Sequence, residues 1–350
     1  MPHNFLQKMR TEIAALGEFG LIRRLTENVK LKNASTKKGI GDDAAVLDYK
    51  NKHTLVTTDL LLEGIHFDLV YVPLRHLGYK AAVVNFSDIY AMNGQPKQIT
   101  VSIGVSSRFS VEDLEELYAG IQLACDHYGV DLVGGDTSAS LTGLTISITC
   151  IGEGEKNKIV YRNTAKENDL ICVSGDLGAA YMGLQLLERE KAVFIGQKDM
   201  QPDFAGKEYL LQRQLKPEAR KDIIEALHKK NILPSAMIDI SDGLSSELLH
   251  ICTQSKTGCR VYEDRIPIDY QTAAMAEEFN MNLVTAALNG GEDYELLFTV
   301  PLEKHDEIAG IESVKIIGHI CKESMGACLV TRDEQEFPLK AQGWNSLEGK

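Results

Sequence analysis

The stretch MIDISDGLSSELLHI, residues 237–251, has the pattern of a strand, a tight turn and a helix in immediate succession. Its apolar start ends at the acid-rich turn DISDG, and Leu and Ile then recur at helical spacing. The stretch GGEDYELLFTV, residues 290–300, similarly leads from a turn into a strand. Such alternation along the chain predicts an α/β fold of the α+β type, with a mixed sheet in each domain.

Periodicity and end signals predict the other elements. Ser110 is a helix cap followed by Glu112 and Asp113 in the first turn. The predicted helical segments are 11–28, 74–93, 111–128, 178–191 and 205–230. The predicted strands are 54–58, 97–106, 144–152 and 170–174.

The length of 350 residues corresponds to roughly two domains at about 150 residues each. The turn-rich, charged segment GEGEKNK, residues 152–158, is the best candidate for a boundary. We therefore expect an N-terminal domain over residues 1–155 and a C-terminal domain over residues 156–350.

The composition and charge limit the partners. The chain is 44% hydrophobic and 25% charged, as globular proteins are, and 37 Lys and Arg against 50 Asp and Glu give a net charge of −13. Nucleic acids and anionic membranes require a basic face, so neither is an expected partner. No apolar run reaches the roughly 18 residues of a membrane span. The seven cysteines form no C-x-x-C pair, so a zinc site is not expected. Most of them lie in apolar runs, which predicts buried thiols, and scattered free thiols favour a reduced, cytoplasmic location.

A subset of the acids follows apolar runs and lies beside Gly, Ser or Thr. Any single aspartate in such a place is usually a turn residue, but six such sites occur here. Carboxylates that converge repel one another unless a cation lies among them, and hard oxygen ligands favour Mg²⁺ over zinc. The pattern predicts several divalent ions that bridge the protein to a polyphosphate. These acids are Asp42, Asp43, Asp59, Asp88, Asp136, Asp239, Asp242, Glu292 and Asp293.

A glycine pair supplies a candidate phosphate site. The sequence GGDT, residues 134–137, follows a short apolar strand, and its backbone N–H groups are suited to a phosphate cradle; an ordinary tight turn is the alternative. There is no G-x-x-x-x-G-K-[ST] motif, and GIGDDA, residues 39–44, is not G-x-G-x-x-G. A nucleotide site in this chain is therefore of another kind.

The motifs, taken in order, resemble the thiamine-monophosphate kinase family, within the superfamily of aminoimidazole ribonucleotide synthetase and selenophosphate synthetase. The resemblance extends from about residue 17 to the GW pair at 343–344. It rests on GEFGLI (17–22), GIGDDAAV (39–46), TTDLLLEGIHF (57–67), NFSDIYAMNGQP (85–96), GGDT (134–137), DISDGL (239–244) and GGEDYELLF (290–298).

The resemblance implies transfer of phosphate from ATP to thiamine monophosphate, with several Mg²⁺ ions; whether K⁺ is needed is left open. It also implies a two-domain synthetase-like fold and a homodimer whose N-terminal domains form a β-barrel. The active site would lie in the groove between the domains. Because a phosphate monoester is largely ionised at neutral pH, no catalytic residue is expected as a base, and transfer is expected to be direct.

The resemblance also implies roles for individual residues. The residues that resemble metal ligands are Asp43, Thr57, Thr58, Asp59, Asp88, Asp136, Asp239 and Asp242. Those that resemble ATP contacts are Tyr118, Gly134, Gly135, Asp136, Arg162 and Ser241. Those that resemble contacts to the thiamine phosphate are His66, Glu292 and Trp344.

Simpler interpretations stand beside these roles. Tyr118 and Trp344 are also suited to packing in a core, Arg162 to the surface, and His66 to a structural hydrogen bond. The charged segment 186–230 is interpreted as a solvated helical face. Three other functions remain open: a ring-closing ligase of the same superfamily, a non-catalytic metal-binding protein, and a Mg²⁺-dependent phosphatase. A selenophosphate synthetase is disfavoured because no reactive cysteine or Gly-rich N-terminal segment is present.

Overall fold

A computed structural model describes residues 11, 24–38, 46–50, 52–196 and 204–342. Asp42, Asp43, Trp344 and most of the predicted helix 11–28 lie outside the described residues. The chain divides into two compact units. The first comprises residues 1–49, 58–82 and 97–151, and the second comprises 50–57, 83–96 and 152–350. The predicted boundary at residue 155 remains a prediction.

The bounds of the elements are as follows. The strands are β1 (Thr36–Lys38), β2 (Val46–Leu47), β3 (His53–Leu62), β4 (Gln95–Val105), β5 (Asp131–Ala139), β6 (Thr145–Gly154), β7 (Leu170–Ser174), β8 (Ala236–Asp239), β9 (Thr257–Tyr262), β10 (Leu296–Val300), β11 (Val314–Lys322), β12 (Ala327–Val330) and β13 (Glu336–Pro338). Among the described residues, the helices of five residues or more are α1 (Leu74–Ala91), α2 (Val111–Tyr128), α3 (Ala179–Gly196), α4 (Glu208–Leu215), α5 (Lys221–Lys229), α6 (Leu244–Ser255), α7 (Tyr270–Glu278), α8 (Leu283–Asn289) and α9 (His305–Ala309).

Two larger sheets confirm the mixed α/β class. One has the strand order β3-β6-β4-β5, and the other has the order β13-β12-β9-β11-β7-β10-β8. Strands β4 and β5 pair in parallel, whereas β10 pairs antiparallel with both β7 and β8. The described strands form no closed barrel.

Local signals account for the best-predicted elements. Helix α2 begins at Ser110, whose side chain accepts a hydrogen bond from the Asp113 amide, while the Asp113 carboxylate accepts one from the Ser110 amide. It ends at Gly129 in the left-handed conformation (φ 72°). Strand β7 is buried throughout, and its apolar sequence predicts its bounds. The predicted helical region 205–230 is instead two helices, because Pro217 follows the end of α4.

The second unit has its main core around β7–β11, with α6 packed against it through Leu244, Leu248 and Ile251. All seven cysteines are free thiols and all are buried, as predicted. Within the described ranges, no helix has both the length and the apolar character that crossing a membrane requires.

Candidate active site

A cavity of about 440 Å³ in the second unit brings together four of the predicted site residues. Thr57 comes from β3, Asp88 from α1, Arg162 from the segment before β7, and Asp239 from the end of β8. Two predicted metal-binding acids and one predicted ATP-binding cation therefore line one space, although 182 residues separate Thr57 from Asp239 in sequence.

Helix α1 presents two consecutive polar residues to this cavity region. Asp88 accepts a hydrogen bond from Thr57 Oγ1 at 2.6 Å, and Ser87 Oγ donates one to Asp239 Oδ2 at 2.6 Å. Burial raises the pKa of Asp88, and the Thr57 hydrogen bond and the Arg162 charge offset part of that effect. The NFSD motif therefore supplies Asp88 to the cavity and also orients Asp239 through the hydrogen bond from Ser87.

The rest of the cavity wall is largely apolar, with Tyr161, Asn163 and Gln254 as further polar groups. Tyr161 is 50% exposed and directly precedes Arg162. Sequence reasoning did not select Tyr161, although it belongs to the same YRNTA motif. The apolar lining residues include Leu55, Ile89, Ala91, Met92, Val160 and Met237.

The DISDG turn and the GGEDYE loop are joined through their backbones. Leu296 pairs with Asp239 in the β10–β8 ladder, which sets the register. The Glu292 amide donates to the Ser241 carbonyl at 2.7 Å, and the Tyr294 amide donates to the Ile240 carbonyl at 2.8 Å. The predicted ATP contact Ser241 and the predicted substrate contact Glu292 are therefore adjacent.

Glu247, in the first turn of α6, is a second residue that the sequence analysis missed. Its Oε1 accepts a hydrogen bond from the Asp242 amide at 3.0 Å, while its buried Oε2 has no hydrogen-bond partner in the described structure. Burial raises its pKa to about 8, and the neighbouring charges of Asp242 and Asp239 act in the same direction. Its position five residues after Asp242, in the first helical turn, is the signal that was available in the sequence.

Glu292 directly precedes Asp293, which belongs to a larger polar cluster. We call it the arginine cluster and define it by Asp176, Arg213, Arg220, Asp293 and Glu295. Arg213 Nη1 donates to Glu295 Oε1 at 2.7 Å, and Arg220 Nη1 donates to the other oxygen of the same carboxylate. Only 20% of the Arg213 side chain and 13% of the Arg220 side chain are exposed. The interpretation of segment 186–230 as a solvated face is wrong at these two positions, because their partners lie about 80 residues further along the chain.

The remaining part of β3 and the following loop lie in the first unit. Thr58 Oγ1 donates to the Ile148 carbonyl at 3.1 Å and accepts from Thr149 Oγ1 at 3.1 Å. Asp59 is partly buried on the same strand. His66 is exposed after the strand, and its Nδ1 accepts a hydrogen bond from the Leu62 amide at 3.1 Å. This is the structural hydrogen bond of the simpler interpretation, and the substrate contact of His66 stays a prediction.

The GGDT motif does not form a tight turn, which was the alternative interpretation, and the contact of Gly134 and Gly135 with ATP stays a prediction. Residues 134–137 lie within β5, where Gly135 pairs with Val101 of β4. A Cβ atom at Gly135 would come within 1.9 Å of the Val101 carbonyl oxygen, so the strands can approach this closely only at a glycine. The pairing also skips one residue just before Gly134, which marks a β-bulge. Asp136 is exposed on this strand.

Tyr118 lies in the core of α2 with 7% of its surface exposed. Burial raises its pKa to about 12. This position agrees with the packed tyrosine of the simpler interpretation, and its contact with ATP remains a prediction. Across the residues that the structure describes, no three His, Cys, Asp or Glu side chains converge closely enough to hold a metal ion.

Comparisons with known proteins cover both units of the chain. Residues 41–153 match the family model of the AIR synthase related protein N-terminal domain, and residues 166–337 match that of the C-terminal domain. A thiamine-monophosphate kinase of Aquifex aeolicus is 36% identical over 289 residues, which are 83% of this chain and 87% of the relative. That of Bacillus subtilis is 33% identical over 343 residues, which are 95% of this chain and 100% of the relative.

Solved structures agree with these matches. The structure described as "AaThiL complexed with AMPPCP and TMP" has a TM-score of 0.72 and 32% identity, over 97% of this chain and 99% of that one. A hydrogenase maturation protein, HypE, in complex with ATP has a TM-score of 0.73 at 19% identity, over 92% of this chain and 95% of that one. At that identity, the HypE match shows a shared fold alone.

Proposed function

This chain belongs to the thiamine-monophosphate kinases, a family of AIR synthase related proteins, and we propose that it transfers the terminal phosphoryl group of ATP to thiamine monophosphate. It is a phosphotransferase that acts on a phosphate group. The products would be ADP and thiamine diphosphate. Support for these substrates comes from a relative at 32% identity that was solved with AMPPCP and TMP.

The observation that carries the proposal is the cavity lined by Thr57, Asp88, Arg162 and Asp239. Phosphoryl transfer depends chiefly on positioning and on neutralising charge between two anions. Arginine binds phosphate oxygens with fixed geometry, and carboxylate and hydroxyl oxygens suit Mg²⁺. This cavity therefore combines the two types of group that the reaction needs.

The donor set fits Mg²⁺ as the resident metal. Asp88 and Asp239 offer carboxylate oxygens and Thr57 offers a hydroxyl, without thiolate or imidazole among the predicted ligands. Bound Mg²⁺ would neutralise the phosphates and align them for an in-line reaction. We further propose as ligands the other predicted residues Asp43, Thr58, Asp59, Asp136 and Asp242.

The nucleophile would be an ionised phosphate oxygen of thiamine monophosphate, so no general base is required. In this proposal, Arg162 holds phosphate oxygens of ATP, and Glu292 orients the thiamine part of the acceptor. Transfer is direct, with no phosphorylated side chain as an intermediate. Trapping a phosphorylated form of the protein during turnover would contradict this part of the proposal.

We also propose a cytoplasmic homodimer in which the N-terminal domains, residues 1–155, form a β-barrel together. Strand β3 lies at one end of the described order of its sheet, and its Val56 and Leu60 are 65% and 52% exposed. Exposed apolar side chains on an outermost strand are suited to pairing with a second copy. A solution mass of one chain rather than two, measured by light scattering, would contradict the dimer.

The test is to incubate the protein with ATP, Mg²⁺ and thiamine monophosphate and to quantify the products by chromatography. We expect thiamine diphosphate and ADP in equal amounts, with no reaction when EDTA removes the metal. Release of inorganic phosphate without ATP would indicate a phosphatase instead. Metal binding without any product would indicate a non-catalytic protein, and turnover only of a purine precursor would indicate the ring-closing ligase.

A further inference from the structure

The GGEDYE loop holds three residues in the left-handed region of backbone conformation. The φ angles of Gly291, Glu292 and Tyr294 are 70°, 58° and 51°. For residues with a side chain this region costs energy and persists only where the surroundings enforce it. Glu292, the predicted substrate contact, is therefore held in a conformation that its own sequence does not favour.

The backbone hydrogen bonds to Ser241 and Ile240 supply part of this support. They fix the path of the loop, but they do not fix the direction of the Glu292 side chain. A glutamate side chain has three rotatable bonds, and a defined carboxylate position needs a partner of its own.

Gln214 of α4 is that partner. Its Nε2 donates a hydrogen bond to Glu292 Oε2 at 2.8 Å, and Gln214 is buried, with 6% of its surface exposed. The adjacent residue Arg213 anchors the same helix turn through its 2.7 Å hydrogen bond to Glu295 and a second one to the Asp176 carbonyl at 2.9 Å. One short helix therefore holds two acids of the loop, Glu292 and Glu295.

We propose that Gln214 is a positioning residue that aims the Glu292 carboxylate at thiamine monophosphate, with Arg213 fixing the helix from which it reaches. This inference rests on the proposed function, in which Glu292 contacts the substrate. Thiamine carries a cationic ring and an amino group, and both are suited to an oriented carboxylate. Gln214 then affects the binding of thiamine monophosphate and not the binding of ATP.

The experiment compares Gln214→Leu with Gln212→Leu in the steady-state kinase assay. Gln212 lies on the exposed face of the same helix and is the matched control. For Gln214→Leu we expect KM for thiamine monophosphate to rise roughly 10-fold, as loss of a hydrogen bond to a charged group predicts. We expect KM for ATP, kcat and the melting temperature to stay close to those of Gln212→Leu. Gln214→Asn, which keeps the amide on a shorter side chain, should give an intermediate KM.

A double-mutant cycle with Glu292→Gln completes the test. If Gln214 acts through Glu292, adding Gln214→Leu to Glu292→Gln raises KM for thiamine monophosphate little further. Equal losses for both substrates, or independent effects in the cycle, would overturn the inference while leaving the proposed function intact. If Glu292→Gln leaves KM for thiamine monophosphate unchanged, the assignment of Glu292 and this inference both fail. If the wild-type protein forms no thiamine diphosphate, the proposed function itself fails.

Discussion

Two regions of the second unit contain buried carboxylates, and they differ in the groups that balance the negative charge of those carboxylates. In the arginine cluster, Glu295 accepts hydrogen bonds from Arg213, Arg220 and Ser174, so guanidinium groups of the chain itself balance the carboxylate. In the cavity, the hydrogen bond that Asp88 accepts comes from the hydroxyl of Thr57. Both regions fix the orientation of a carboxylate, but a hydroxyl adds no positive charge.

This difference separates structural acids from acids that are available for chemistry. Burial raises the pKa of Asp88 more than Thr57 and Arg162 lower it, so its charge is incompletely balanced within the chain. A cation from solution would gain most at such a place. Neutralising Asp88 in the cavity should therefore reduce activity and spare stability, whereas neutralising Glu295 in the arginine cluster should do the opposite.

The largest effect on activity is expected for Asp88→Asn. Loss of a metal-binding charge removes several kcal/mol of transition-state stabilisation, so kcat should fall by roughly a hundredfold to a thousandfold. The melting temperature should stay unchanged or rise, because an amide avoids the cost of a buried charge. Asp126→Asn, at an exposed side chain paired with Lys32, is the control. Kinase activity of Asp88→Asn close to that of the control would contradict the metal assignment.

The largest effect on stability is expected for Glu295→Gln. The substitution leaves Arg213 and Arg220 in a buried place without their shared carboxylate, which typically costs about 3–5 kcal/mol. Urea unfolding should show this loss in the free energy of unfolding. Glu225→Gln, at a 67% exposed side chain 3.9 Å from Lys221, should change it by less than about 1 kcal/mol. Similar unfolding curves for the two variants would remove the distinction between the regions.

The same two regions show what the sequence predicts and what it does not. Elements with local signals were predicted closely: β7 and α2 have the expected bounds, and α2 has its Ser110 cap. The acids of the cavity were identified because each lies in a short motif. The partners Arg213, Gln214 and Arg220 were missed because their contacts are made over 75 residues or more of sequence.

The GGDT motif shows a second limit of prediction from sequence, because its residues were singled out but their secondary structure was not recognised. A glycine pair after an apolar run is typical of a turn, but here the glycine serves a close approach between β4 and β5. Steric contact with another strand is a tertiary property, so composition alone gives no signal for it. Asp43 and Trp344, which lie outside the described residues, remain predictions.

The last expected effect concerns the pH dependence of stability and Asp293, which lies within the arginine cluster. Asp293 is 2% exposed and accepts hydrogen bonds from the Gly178 and Ala180 amides at 2.8 and 3.4 Å, at the start of α3. Burial raises its pKa to about 7, although the Arg213 charge and these hydrogen bonds act in the opposite direction. The pKa of an aspartate in an unfolded chain is about 3.9. Between these two values the folded protein binds more protons than the unfolded one, so this group makes stability fall as pH rises.

Asp293→Asn removes that titration while keeping one acceptor oxygen for the amides. The free energy of unfolding of the wild type, relative to that of the variant, should therefore fall as pH rises from about 4 to about 7, by at most about 1.4 kcal/mol per pH unit. Urea unfolding at a series of pH values measures this difference, in which the titration of other groups cancels. Asp306→Asn, at a fully exposed side chain, is the control. If Asp293→Asn remained parallel to the wild type, the Arg213 charge and the two amide hydrogen bonds would fully offset the effect of burial on the pKa of Asp293.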